Sequence, residues 1–284
     1  MRHFRRREFL SAVALSATSG QSQISANSPG RLKQCVARSV FGRGANFEDT
    51  SRIAAEAGIK GYDLIGPKDW PTLKKYGLIP TMYPPGPGGN ITDGINRRES
   101  HDALAKLMHA AIDESAANGI PNIIALSGTR KGMPDAEGAD NCVAFFNGVK
   151  AHAEDRGVTI CIEYLNSKVD HKDYMFDHIG WGVDVVKRVN SPRVKILFDI
   201  YHAQIMDGDI VRNIRDNFRW IGHFHTGGNP GRHEIDDTQE LNYRFIAKSI
   251  ADLGFSGYVA HEYNPAPGRD PIASLKQAIE IMSL

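Results

Sequence analysis

From residue 32 onward, short apolar runs alternate with longer stretches whose apolar positions recur at helical spacing. The runs at 34–40, 61–65, 79–83, 122–127, 159–165, 195–200, 221–226 and 258–263 predict strands. The stretches at 47–57, 71–76, 98–118, 139–156, 174–189, 210–217, 242–253 and 271–282 predict helices. Glycine follows five of those helices, at Gly58, Gly77, Gly119, Gly157 and Gly254, where a left-handed C-terminal residue is wanted. The strand runs are continuous rather than alternating, as parallel strands covered by helices should be. Eight βα units in unbroken order predict a single α/β domain, a (β/α)8 TIM barrel over 29–284. No GxGxxG follows the first run, which argues against a dinucleotide fold.

The first 28 residues do not fit this alternation. In MRHFRRREFLSAVALSATSG, Arg6 and Arg7 precede Glu8, Phe9 and Leu10, and a short, weakly apolar run follows. The segment resembles a twin-arginine export signal, so residues 1–28 are read as signal peptide and linker. The location expected from this is periplasmic or exported, with a basic tail on a cytoplasmic protein as the alternative.

Composition changes the picture only by exclusion. The 284 residues are 41% hydrophobic and 24% charged, with a formal net charge of +1, so no dedicated nucleic-acid partner is expected. No run of 18 apolar residues appears, so no membrane span is expected either. Cys35, Cys142 and Cys161 are odd in number and lie in apolar runs without CxxC spacing, which predicts buried thiols and no disulfides. Oligomeric state is not legible, and a homo-oligomer stays open.

Catalytic residues of a TIM barrel belong at the C-terminal ends of its strands. Glu163 lies near the end of TICIEYLN, Asp199 ends the apolar part of KILFDIYH, His225 ends IGHFH, and Glu262 ends YVAHE. A carboxylate such as Asp199 at the end of a buried strand loses hydration unless a cation or hydrogen bonds meet it. A single strand acid is more often paired with Arg or Lys than bound to metal. Four such residues at equivalent places on four successive strands converge on one volume. Two glutamates, one aspartate and one imidazole form a mostly oxygen ligand set suited to one divalent metal ion, Mg²⁺ or Mn²⁺, with Zn²⁺ or Co²⁺ compatible through the imidazole.

ICIEYLN, LFDIYHAQ, IGHFHTGGNPGRHEI, QELNY and VAHEYNP together resemble the hydroxypyruvate isomerase group of the xylose-isomerase-like sugar isomerases and epimerases. The resemblance covers the chain after about residue 30. It implies that Glu163, Asp199, His225 and Glu262 bind one divalent metal, that Glu163 and Glu262 also form the catalytic acid/base pair, and that His202 and Arg232 contact substrate. Arg232, on a Gly/Pro-shaped loop, suits a bidentate grip on a carboxylate or hydroxyls. Arg130, after the fourth strand, is a further candidate substrate contact. His225 stands where bacterial members of the group commonly carry glutamine, as in the ketose 3-epimerases, and GYDLIG lacks a glutamate often found at that strand end.

The reaction expected is a metal-assisted aldose–ketose type isomerisation of a small hydroxy-carbonyl or sugar substrate through an enediolate, hydroxypyruvate to tartronate semialdehyde first among them. A ketose or keto-sugar 3-epimerase would use the same residues. A zinc endonuclease of the same superfamily would need more ligands on the early strands and a basic groove. A non-catalytic sugar-binding barrel would not need two bracketing glutamates. His233 and Glu234 read as loop-structural, and Trp70, Trp181 and Trp220 as packing. YPPGPGGN reads as a shaped mouth or lid element.

Overall fold

The computed structural model describes residues 31–284; the leader reading for 1–28 lies outside them. Strands β1 (Lys33–Val36), β2 (Gly61–Asp63), β3 (Ile79–Gly88), β4 (Asn122–Ala125), β5 (Thr159–Glu163), β6 (Val194–Asp199), β7 (Ile221–Thr226) and β8 (Tyr258–His261) close into a barrel in chain order. Every pairing is parallel, and β1 closes the ring against β8. The helices are α1 (Phe47–Glu56), α2 (Trp70–Lys75), α3 (His101–Asn118), α4 (Asp135–Arg156), α5 (Ile179–Val189), α6 (Ile200–Met206), α7 (Ile210–Asn217), α8 (Tyr243–Asp252) and α9 (Pro271–Met282). The fold is the expected TIM barrel.

Several boundaries differ from the periodicity. The first strand stops at Val36 and turns into a 3-10 segment, Arg38–Phe41. Helix α5 starts at Ile179 rather than 174, because the backbone of Tyr174 and Met175 is drawn onto the Arg130 guanidinium. Helix α6 is an addition that starts directly where β6 ends. YPPGPGGN largely continues β3 in extended form, because Gly88 packs its backbone on Ala125, where a Cβ would come within 2.5 Å. The cysteines are buried and unbridged. No helix of the described residues is long and apolar enough to cross a membrane.

Register sets the depth of the side chains that matter. Asp199 on β6 is the lateral partner of His225 on β7, and Glu163 ends the adjoining β5. Glu262 follows β8 and prolongs its ladder through N–H to the Thr226 carbonyl at 2.9 Å. All four therefore stand at the C-terminal rim of neighbouring strands.

Candidate active site

One ligand atom from each of Glu163, Asp199, His225 and Glu262 lies within 4.8 Å of the others. His225 Nδ1 is the hub, 2.6 Å from Glu262 Oε2, 3.4 Å from Glu163 Oε1 and 3.7 Å from Asp199 Oδ2. It is fully buried and makes no aligned hydrogen bond. A buried polar atom without a partner costs roughly 1–3 kcal/mol, so this nitrogen is shaped for a ligand that the protein's own groups do not supply.

The other nitrogen of that ring explains why Nδ1 is bare. Nε2 of His225 donates to Asp63 Oδ2 at 3.0 Å, and Nε2 of His223 donates to the same oxygen at 2.6 Å. Thr81 and Cys35 donate to Oδ1. Burial pushes the Asp63 carboxyl up, but the two imidazoles outweigh it and hold the group well below the usual carboxylate range. Against the effect of burial, the surrounding carboxylates raise the His225 pKa, and an ionised carboxylate only accepts, so when the ring is neutral its proton sits on Nε2 and Nδ1 is free to bind a ligand. Asp63 is the residue sequence reasoning missed. An acid at the end of the apolar run GYDLI obeys the same strand-end rule as the other four.

Cys35, Asp63 and His223 also converge, deeper in the barrel. That Asp63 carboxylate is already taken up by four donors. Burial and the neighbouring Asp63 charge push the Cys35 thiol up, away from the thiolate that metals require. This cluster is a hydrogen-bonded support for His225.

Asp199 meets two partners. Its Oδ1 accepts the His202 backbone N–H at 3.1 Å and caps α6, and its Oδ2 accepts from Arg232 Nη2 at 2.7 Å. The same Nη2 donates to Glu262 Oε2 at 2.7 Å. Asp199 and Glu262 thus share one guanidinium, and with all three rim carboxylates ionised and His225 neutral two negative charges are left over. One divalent cation matches that excess and the free Nδ1, so the residues present fit such an ion.

The two glutamates sit in unequal fields. Burial, with help from the Glu262 and Asp199 charges, raises the Glu163 pKa. Burial also acts on Glu262, but His225 and Arg232 more than offset it and lower its pKa. One carboxyl is biased to hold a proton and its neighbour to stay ionised.

Arg232 reaches this position on a loop built for it. Its φ is 54°, after Gly231 at 92°, and its N–H donates to the Gly228 carbonyl at 2.8 Å. Gly228 must be glycine, because a Cβ there would lie 2.0 Å from the Glu234 carbonyl oxygen. Tyr243 of the ELNY string holds the preceding residue, accepting from Gly227 N–H at 3.0 Å and donating to its carbonyl at 2.7 Å. Glu234 accepts from Ser274 Oγ at 2.8 Å and from Ala266 N–H, and His233 is bonded to the Asn264 carbonyl, so both brace the loop.

Beside the rim lies a cavity of about 420 Å³ lined by Glu163, Glu262 and Arg232. Leu64, Ile91, Ile124, Leu126 and Leu165 supply apolar lining, with Asn90 and His171 as further polar groups. His202 is buried behind Arg232, its Nε2 2.6 Å from Arg232 Nη1. Arg130 corrects the sequence reading. Its five N–H groups go to Asp135, Asp177 twice, and the carbonyls of Tyr174 and Met175, which leaves no donor for a substrate. The arginine pins the β4 and β5 loops together instead. Trp70 and Trp181 spend their indole N–H on backbone carbonyls, and Trp220 packs under Lys195 and Arg219.

A closed parallel barrel carrying a buried carboxylate–imidazole cluster at its C-terminal rim defines the class: a TIM-barrel protein with a site fit for one divalent cation. The model of the xylose isomerase-like TIM barrel family matches residues 71–283, and the chain belongs to that family. It is 28% identical over 233 residues to a 2-oxo-tetronate isomerase of Pectobacterium atrosepticum, covering 77% of this chain and 87% of that protein. A Danio rerio relative with hydroxypyruvate isomerase in its name is 35% identical over 109 residues, 38% of this chain and 40% of that one. Among solved structures, a protein described as AP endonuclease, family 2, from Brucella melitensis superposes with a TM-score of 0.75 at 28% identity, over 86% of this chain and 96% of that chain.

Proposed function

We propose that this chain is a metal-dependent isomerase that interconverts a ketone and an aldehyde in a small hydroxy-carbonyl substrate, with hydroxypyruvate to tartronate semialdehyde, or the reaction of a close 2-oxo-acid relative, as its chemistry. The carrying observation is the bare Nδ1 of His225 among three rim carboxylates, two of them glutamates whose pKa values are driven apart. A divalent ion held by Glu163, Asp199, His225 and Glu262 would act as Lewis acid toward adjacent carbonyl and hydroxyl oxygens.

The protein's own groups then handle the proton. Glu262, kept ionised by the Arg232 guanidinium, takes the proton from the carbon that bears the hydroxyl, and an enediolate results. Glu163, biased to hold a proton, returns one to the former carbonyl carbon. The hydroxyl proton passes to the other oxygen, which Arg232 at the cavity lining, with His202 directly behind it, would bind and orient. Leu64, Ile91, Ile124, Leu126 and Leu165 leave that cavity with few hydrogen-bonding groups for a long polyol tail, which favours a short substrate.

A ketose 3-epimerase is the second reading, favoured by the histidine rather than glutamine at 225. The test is solvent deuterium incorporation followed by NMR, with Mn²⁺- or Mg²⁺-loaded protein, across hydroxypyruvate, 2-oxo-tetronate and free ketoses. Label with aldehyde formation on a short 2-oxo acid supports the isomerase, label at C3 of a ketose supports the epimerase, and metal binding without label on any of them rejects both. We also propose export in folded form through Arg6 and Arg7, which would let the metal be loaded before copper and zinc compete. Unchanged export of the variant with both arginines replaced by lysine rejects that part.

A further inference from the structure

His202 has its ring orientation fixed by a residue that no other part of the site requires. Asn166, fully buried after β5, accepts the backbone N–H groups of Val169 and Asp170 on Oδ1, each at 3.0 Å. Those two donors determine which end of the amide is oxygen. The amide nitrogen therefore faces Asp170 Oδ2 at 2.6 Å and His202 Nδ1 at 2.6 Å. The backbone N–H of Asn166 points at the same Nδ1 from 3.2 Å. Asp170 is itself held by the Tyr201 hydroxyl at 2.8 Å, so the amide cannot turn over without losing several bonds at once.

Two donors aimed at Nδ1 make it an acceptor, and a neutral imidazole then carries its one proton on Nε2. The same two donors leave no place for a second proton on Nδ1, so the ring is neutral. Nε2 faces Arg232 Nη1 at 2.6 Å, and a guanidinium has no acceptor. Two N–H donors directed at each other repel unless an oxygen accepts from both. We propose that Asn166 is a positioning residue that fixes His202 as the Nε2–H tautomer, so that His202 and Arg232 form a two-donor receptor for one substrate oxygen. The receptor's use in turnover rests on the isomerase reading above; the tautomer does not.

The experiment uses the full chain with ¹⁵N-labelled histidine, chelator-treated and then Mg²⁺-loaded, and a His202→Gln variant to assign the His202 signals. Long-range ¹H–¹⁵N NMR at neutral pH should report an unprotonated Nδ1 and a protonated Nε2. A protonated Nδ1 in the unsubstituted protein overturns the proposal whether or not the protein turns over substrate. Asn166→Asp keeps the acceptor for Val169 and Asp170 but replaces the donor with an acceptor, and should move the proton to Nδ1. Combining it with Asp170→Asn restores the local charge should the single variant fold poorly. With active enzyme, kcat should fall about 100-fold or more while KM changes little, as for loss of a donor to an oxygen that gains charge in the transition state. The same change in a His202→Gln background should cost less than about twofold, since the residue acts through the histidine. An equal loss in both backgrounds overturns the proposal. The correct tautomer with no turnover on any substrate leaves it standing and rejects the isomerase reading instead.

Discussion

Replacing Asp63 with asparagine removes one oxygen's charge and hardly any volume, deep below the rim. Asp63 takes the Nε2 protons of both His223 and His225 on one oxygen. An amide cannot reproduce this: with its nitrogen toward the rings it drives the His225 proton onto Nδ1, and with its oxygen toward them it is a weaker acceptor that lowers the basicity of Nδ1. Either way the ligand atom is weakened. Loss of such a supporting partner lowers metal affinity by about 10–100-fold, or about 1.4–2.7 kcal/mol. Calorimetric titration of Mn²⁺ into chelator-stripped Asp63→Asn protein should show that loss, with one site per chain retained. Affinity within about twofold of the unsubstituted protein, at matched folding by circular dichroism, would refute the assignment of Nδ1 as the ligand atom.

Arg130→Ala should lower the urea midpoint, costing about 2 kcal/mol or more through five lost hydrogen bonds and the stranded Asp177 carboxylate, while KM stays within about twofold. A large rise in KM at unchanged stability would return Arg130 to the substrate. His261 is held between Gln34 and Thr226 with its pKa pushed down by burial to about 4. The unfolded chain takes up that proton first, so the stabilisation is complete above the ordinary histidine value and is lost as pH falls toward 4. In His261→Gln, the slope of unfolding free energy against pH between about 6 and 4.5 should be smaller by about 1.4 kcal/mol per pH unit, and an unchanged slope would contradict the burial argument.

The sequence carried the barrel and the rim cluster because both are local signals. Continuous apolar runs mark buried parallel strands, and an acid or imidazole at the end of such a run stands out against it. Helix α6 escaped because its start is one cap, Asp199, and it is only seven residues long. Asp177, the chief partner of Arg130, lies 47 residues away in the chain and becomes visible only once β4 and β5 are side by side. Asp63 was overlooked because it ends a strand of three residues and its partner histidines are on the opposite end of the sequence. Asn166 carries no signal of its own in the sequence, because its role depends on which end of its amide the Val169 and Asp170 N–H groups select.

The most direct test of the rim cluster is pulsed EPR on Mn²⁺-loaded protein prepared with ¹⁴N- and ¹⁵N-histidine. One Mn²⁺ per chain with a single directly bound imidazole nitrogen, abolished in His225→Ala and with the ion's affinity strongly reduced in Glu163→Gln and Glu262→Gln, is the result expected. Failure to bind the ion, or bound Mn²⁺ whose nitrogen coupling survives loss of His225, would contradict the account at its centre.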